Sequence, residues 1–352
     1  MAITKTLFGT KKDGIEVFKY TIENGNGMKV SFIDLGASIT NIIVPDKDGN
    51  FEDVVLGYDN LEKYEVNVPS FGALIGRCAN RISDCAFELN GERYELDNNN
   101  CGNTLHSGYS RLNYFMYEGE SGADETGQYV RFSRVSPDGE QKFPGNLSYS
   151  VTYTLTEDNA LIIEYDAVTD KDTIFNMTNH SYFNIGPKGE AGENVLKHEV
   201  KINSDFYTPV GEDILPTGEI LPVAGTQMDF NEFKALGRDL CTDENAENFL
   251  PGYDHNYVLK NNGEIEEVAV LRCLENGREM RVFTDLPGLQ LYTAPALYEE
   301  GGKGNRSYGS SDAVCFETQF FPNAINVENF ESPILKAGDE FKSTTIYAFG
   351  LM

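Results

Sequence analysis

The chain has 352 residues, 40% hydrophobic and 12% aromatic, with a net charge of −28. That much apolar material supports a large buried core and excludes a disordered chain. The acidic balance excludes nucleic acid and anionic membrane surfaces as partners, and no apolar run approaches the roughly 18 residues of a membrane span.

Two-residue alternation dominates from the N-terminus onward. Met1 to Phe8 holds no apolar stretch long enough for a secretory signal. Asn41-Ile42-Ile43-Val44 and Val54-Val55-Leu56 read as strands around a turn from Pro45 to Asn50. Asn60 to Tyr64 is the best short helix. Asn90-Gly91 sits between Phe87-Glu88-Leu89 and Arg93-Tyr94-Glu95-Leu96, the composition of a type I′ hairpin turn. Ser148 to Leu155 and Leu161 to Ala167 form a hairpin about Glu157-Asp158-Asn159. His198, in Leu196-Lys197-His198-Glu199-Val200, alternates with strand residues and reads as a surface side chain. Asn276-Gly277 predicts a second type I′ turn, between Val268 to Leu271 and Met280 to Phe283. Gly301 to Asn305 lacks phosphate-cradling spacing and reads as a flexible loop.

Long amphipathic helices, internal repeats and linker-like shifts in composition are missing from this pattern. The fold class is therefore all-β, with many short strands closing one core as a large sandwich or barrel. A single domain spanning residues 1–352 is expected. The six cysteines are dilute and contain no Cys-x-x-Cys pair, so reduced thiols and a cytoplasmic setting are expected. A monomer or small homo-oligomer suits the charge.

Three polar-aromatic clusters could carry chemistry. Thr178-Asn179-His180-Ser181-Tyr182-Phe183-Asn184 crowds amide, imidazole, hydroxyl and phenol groups together. Such a mixture is either a polar turn or a sugar site, since a sugar offers hydroxyls at its edge and C–H groups on its faces. Glu317, in Phe316-Glu317-Thr318-Gln319-Phe320-Phe321, is a carboxylate in apolar surroundings, hence either paired or raised in pKa. Asp254 lies in Tyr253-Asp254-His255-Asn256-Tyr257. There is no His-Glu-x-x-His, Gly-x-Ser-x-Gly or Gly-Lys-Ser/Thr motif. A metal site from His106, His180 and Asp254 has no spacing to support it, and no metal or other cofactor is expected.

Taken in order, the clusters resemble the aldose 1-epimerase family. Gly76-Arg77-Cys78-Ala79-Asn80-Arg81-Ile82 is similar to that family's Gly-Arg-x-Ala-Asn-Arg-Ile segment. Phe87 to Gly91 and Asn103-Thr104-Leu105-His106-Ser107-Gly108 follow it. Thr178 to Asn184, Tyr253 to Asn256, Gly288-Leu289-Gln290-Leu291-Tyr292 and Glu317-Thr318-Gln319 resemble the later blocks. Two departures, Pro322-Asn323 and Thr293-Ala294-Pro295, bear on the rim of the site and on sugar preference.

The resemblance implies a large β-sandwich of mostly antiparallel strands with an open sugar cleft. It implies interconversion of the α and β anomers of a free hexose such as galactose or glucose, with Glu317 as general base and His180 as general acid. Asn80, Arg81, His106, Tyr182, Asp254 and Gln290 would line the substrate site. Two rivals stand beside this reading. One is a non-catalytic sugar-binding or sensor module; the other is a glycoside hydrolase using Asp254 and Glu317 as its carboxylate pair. A sugar phosphate is disfavoured as substrate because Arg81 is the main cation in view.

Overall fold

A computed structural model describes residues 2–243, 245, 246 and 249–352, and every candidate site residue falls within this set. Three sheets organise the chain. The N-terminal one is a meander of five strands: Ala2–Thr10, Glu16–Glu23, Lys29–Ile33, Ser38–Pro45 and Phe51–Asp53. The largest has nine strands, in the spatial order Glu118–Ala123, Gln128–Ser136, Leu147–Leu155, Ala160–Thr169, Glu340–Leu351, Arg278–Thr284, Glu266–Arg272, Glu199–Ile202 and Lys234–Ala235. The third holds Leu221–Pro222, Phe206–Thr208, Asp254–Val258, Gly288–Tyr292 and Cys315–Gln319. Neighbours within these sheets run antiparallel.

The alternation in sequence explains how the layers meet. In Leu147–Leu155 the inward set Tyr149, Val151, Tyr153 and Leu155 is buried. Tyr153 stacks on Phe32 of the N-terminal sheet at 4.6 Å between ring centroids, and its hydroxyl donates to the Ala37 carbonyl at 2.8 Å. Farther across the nine-stranded sheet, the Tyr347 hydroxyl donates to the Phe316 carbonyl, and Thr345 meets Thr318 at 2.5 Å. The nine-stranded sheet thus packs against both five-stranded sheets, and one hydrophobic core runs through all three. This is a sandwich of antiparallel sheets. Among the described residues, no helix is long and apolar enough to cross a membrane.

The hairpin from Ser148 to Ala167 forms as read, with strands Leu147–Leu155 and Ala160–Thr169. So does the Asn90-Gly91 turn, where both residues have positive φ (54° and 79°). Three local readings need correction. The strand paired with Ser38–Pro45 is Phe51–Asp53, not Val54–Leu56; those three apolar residues are buried, and Val55 instead forms an isolated antiparallel bridge with Phe183. The Asn276-Gly277 connection spans Cys273 to Gly277 with positive φ only at Gly277 (77°), so it is a longer loop and not a two-residue type I′ turn. Gly301 to Asn305 contains a 3-10 turn whose Lys303 is buried, its ammonium held by Asp53 and the Val55 carbonyl at 2.7 Å each.

His198 is the fourth correction: it is buried, only 4% exposed. It ends the 3-10 turn Val195–Lys197, one position before the strand begins, so strand alternation does not govern it. Its ring packs over Gly186, where a Cβ would lie 3.1 Å from the imidazole Cε1.

Candidate active site

The third sheet presents the chemistry. In Cys315–Gln319, Thr318 is spent on the nine-stranded sheet, so alternation turns Cys315 and Glu317 to the opposite face. Register then aligns partners on that face: Gln290 lies opposite Glu317, Asn256 opposite Gln290, and Asp254 opposite Tyr292. His255, one residue out of phase with Asp254, turns away toward Tyr207.

Over this face lie segments held in sparsely populated backbone conformations. Asn80 (φ 58°) and His106 (φ 51°) adopt left-handed geometry and are clasped to each other. The His106 N–H donates to the Asn80 carbonyl at 2.9 Å, and the Asn80 N–H donates to His106 Nδ1 at 3.2 Å. With Nδ1 accepting, a neutral His106 carries its proton on Nε2. Ser70 (φ 63°) adds a third non-glycine residue of this kind to the same cavity. Clustered strain of this sort marks a site that the surrounding structure over-determines.

The cavity measures about 200 Å³ and is lined by Asn80, Arg81, His106, His180, Tyr182, Asp254 and Glu317, together with Val68, Pro69, Ser70, Leu105, Arg111 and Tyr292. His180 Nε2 and Glu317 Oε1 are 3.7 Å apart. The His180 ring stacks on Tyr182 (centroids 4.8 Å, planes at 12°) and meets His106 edge-on at 5.4 Å. The Tyr182 hydroxyl donates to the Pro69 carbonyl at 3.0 Å, which fixes the stacking platform. Arg81 reaches Asp254 at 3.6 Å and donates to Asn100 Oδ1 at 3.0 Å.

Seven of the eight residues named from sequence therefore line one cavity. Gln290 stands one layer back, donating from Nε2 to Asp254 Oδ1 at 2.6 Å. Ser70 and Arg111 were not singled out from sequence: neither lies in a polar-aromatic cluster, and no local signal separates them from ordinary loop residues. His180, Cys315 and Glu317 each bring one possible metal-ligand atom within 4.8 Å of the others, in place of the trio His106, His180 and Asp254 considered from sequence. A larger hollow of about 750 Å³, over strands Gln128–Ser136, Leu147–Leu155, Ala160–Thr169 and Glu340–Leu351, contains no imidazole.

Burial dominates the electrostatics. It pushes the Glu317 carboxyl up to about 8, Asp254 adding to the effect and Arg81 opposing it. It pulls the His180 imidazole down to about 3, and Arg111 adds to that shift. His106 is lowered for the same first reason, with His180, Arg111 and Arg81 contributing. An acid and a base of these kinds, buried side by side, can move protons between adjacent oxygens of one small molecule.

The Arg77 guanidinium, four residues before Arg81, does something else. It is fully buried and donates to Ser136, Thr173 and the carbonyls of Pro144, Pro137 and Gly145. It ties the Gly76 to Ile82 segment to the body of the protein, which places Arg81 at the cavity.

Comparison with known proteins gives concordant matches. The aldose 1-epimerase family model matches residues 19–348. Galactose mutarotase of Sus scrofa is 38% identical over 355 residues, covering 100% of this chain and 99% of that protein. Galactose mutarotase of Homo sapiens is 38% identical, covering 99% of each. Aldose 1-epimerase of Escherichia coli K12 is 33% identical, covering 96% of each. Among solved structures, an aldose epimerase homologue from C. elegans superposes with a TM-score of 0.85 at 29% identity, covering 94% of this chain and 98% of that one. Galactose 1-epimerase of Lactobacillus acidophilus NCFM gives 0.85 at 27% identity, covering 99% of both.

Proposed function

The chain belongs to the aldose 1-epimerase family and is a carbohydrate isomerase; from that premise we propose that it interconverts the α and β anomers of free hexoses such as galactose and glucose, with Glu317 as general base and His180 as general acid. The observation that carries this reading is the 3.7 Å approach of His180 Nε2 to Glu317 Oε1 across a cavity that also holds Arg81, His106 and Asp254.

A cyclic hexose carries the two reacting oxygens on one carbon, so neighbouring acid and base groups can serve both. Glu317 removes the proton of the anomeric hydroxyl while His180 protonates the ring oxygen, and the C1–O5 bond breaks to leave the open aldehyde. Rotation about C1–C2 presents the other carbonyl face. For closure, His180 takes the proton of the C5 hydroxyl as it attacks, and Glu317 returns a proton to the carbonyl oxygen. Protons and bonds balance over the cycle.

The ionisation of the pair suits a reaction that runs both ways. With Glu317 near 8 and His180 near 3, the pair holds one proton across the range between. On His180 that proton opens the ring, and on Glu317 it closes it. The remaining side chains hold the sugar. His106 offers an Nε2–H, while Arg81 and Asp254 offer charge-assisted hydrogen bonds to hydroxyls. The Tyr182 ring backs the acid. Gln290 and Arg81 hold Asp254 as a positioned acceptor, which supports a sugar-holding role for it over that of a hydrolase's second carboxylate.

Polarimetry on freshly dissolved α-galactose tests the assignment. Glu317→Gln and His180→Asn are each expected to slow equilibration by about 10²–10⁴-fold, the worth of one positioned acid or base. Equal rates for wild type and either variant would refute the acid and base roles.

A further inference from the structure

The proposed mechanism uses one edge of the His180 ring and leaves the other without a task. Nε2 faces Glu317, whereas Nδ1 lies 3.6 Å from the Sγ of Cys315, a hydrogen-bond contact whose donor depends on the tautomer. Cys315 and Glu317 stand two residues apart on one face of the strand Cys315–Gln319, so a single strand meets the imidazole at both nitrogens. Stacking on Tyr182 and the edge-on contact with Tyr292 at 6.2 Å fix the plane of the ring. Neither contact distinguishes one nitrogen from the other. That choice falls to hydrogen bonds.

The reaction constrains that choice. Once the Nε2 proton has passed to the ring oxygen, the neutral imidazole must keep its remaining proton on Nδ1, because Nε2 has to be bare to take the C5 hydroxyl proton on closure. Neutral histidine in water prefers the opposite tautomer, with its proton on Nε2. An acceptor at Nδ1 is therefore needed, and Cys315 stands there. The residue is fully buried, and burial, reinforced by Glu317 and Asp254, pushes its thiol well above the usual range and keeps it neutral. A neutral sulfur accepts a hydrogen bond weakly. It orients the imidazole without the strong stabilisation of the imidazolium that a carboxylate partner gives, so the ring remains a good acid. The carbonyl of His180 itself is also within reach of the ring, but it already receives the Gly72 N–H at 3.0 Å.

We propose that Cys315 is a positioning residue: its sulfur accepts from His180 Nδ1–H and so reserves Nε2 for the proton exchanged with the sugar. This rests on the reading of His180 as the ring-oxygen acid. It gives the buried thiol a task beyond filling the core, and it makes one strand the source of both the base and the partner that orients the acid.

With only four histidines in the chain, ring 15N NMR tests this directly. In protein labelled with 15N-histidine, the His180 signals are those missing from His180→Asn. At pH 9.5, where the pair has lost its shared proton, wild type is expected to show Nδ1 protonated and Nε2 bare. Cys315→Ala should shift His180 toward the Nε2–H form and lower kcat about tenfold, with KM for galactose little changed. Cys315→Ser, whose hydroxyl can also accept, should recover part of both. A wild-type His180 with its proton on Nε2 would overturn the proposal, and that measurement needs no variant at position 315. So would a Cys315→Ala protein with an unchanged tautomer, or one in which only KM rises. These results leave the acid and base roles standing as long as His180→Asn is slow. Wild-type rates in His180→Asn would instead reject the acid itself, and this inference with it.

Discussion

Glu317 and His180 occupy one buried space, and burial moves their proton affinities in opposite directions. Above about pH 8 the pair loses its shared proton, which leaves the proposed mechanism without an acid for the ring oxygen. The enzymatic rate, corrected for hydroxide catalysis, is therefore expected to fall about tenfold per pH unit above that point. Polarimetry from pH 6 to 10 checks this, and a flat profile to pH 10 would count against the pair. His180, Tyr182, Asp254 and Glu317 were legible from sequence because each stands in a dense polar-aromatic cluster, whereas Asn80, Arg81 and His106 were named through the resemblance of their segments to the family's. Gln290 was legible as a member of its block, but its place behind Asp254 is a matter of side-chain reach. Ser70 and Arg111 left no sequence signal, since a serine and an arginine in loops are ordinary until a cavity wall gives them neighbours.

At the scale of elements, alternation carried most of the information. It delivered the hairpin of strands Leu147–Leu155 and Ala160–Thr169 and turned Glu317 away from the nine-stranded sheet. It failed where apolar residues pair with a partner far along the chain, as Val55 does with Phe183, and where a side chain lies just outside a strand, as at His198. Glu317 sits in a strand, but a short non-strand segment holds the backbone at His180, and Gly72 shows how tightly. Its carbonyl accepts from the Ile39 N–H and from Asn179 Nδ2, each at 2.9 Å, and its N–H donates to the His180 carbonyl at 3.0 Å. Its φ is 65°, and a Cβ there would meet the Ile39 carbonyl oxygen at 1.9 Å. Gly72→Ala is expected to destabilise the protein by about 3 kcal/mol or more and to lower kcat through displacement of His180. Urea unfolding with parallel anomerisation assays would show this. A variant of wild-type stability would mean the loop absorbs the methyl without strain.

Across the whole molecule, the sandwich buries histidines that sequence alone left ambiguous. His198 is pulled down to about 4 by burial, against an ordinary value of 6.5. The unfolded chain therefore takes up its proton first as pH falls. The stability held by neutral His198 is complete above pH 6.5 and is lost progressively down to about pH 4. Relative to His198→Gln, wild type should lose roughly 3 kcal/mol over that window, a difference that cancels the other titrating groups. Melting temperatures of both proteins from pH 7.5 to 4.5 provide the measurement, and parallel curves would place His198 in contact with solvent.

Sequence by itself determined the all-β class and the main hairpins, because period-two burial and turn chemistry act between neighbours in the chain, and its ordered motif blocks pointed to the family by resemblance. Tertiary structure decided which face each strand presents, which of two nearby arginines reaches the cavity, and that positions 70 and 111 line the same cavity as His180. Convergence of that kind depends on sheet register and layer packing, which link residues far apart along the chain, and no short window of sequence contains them.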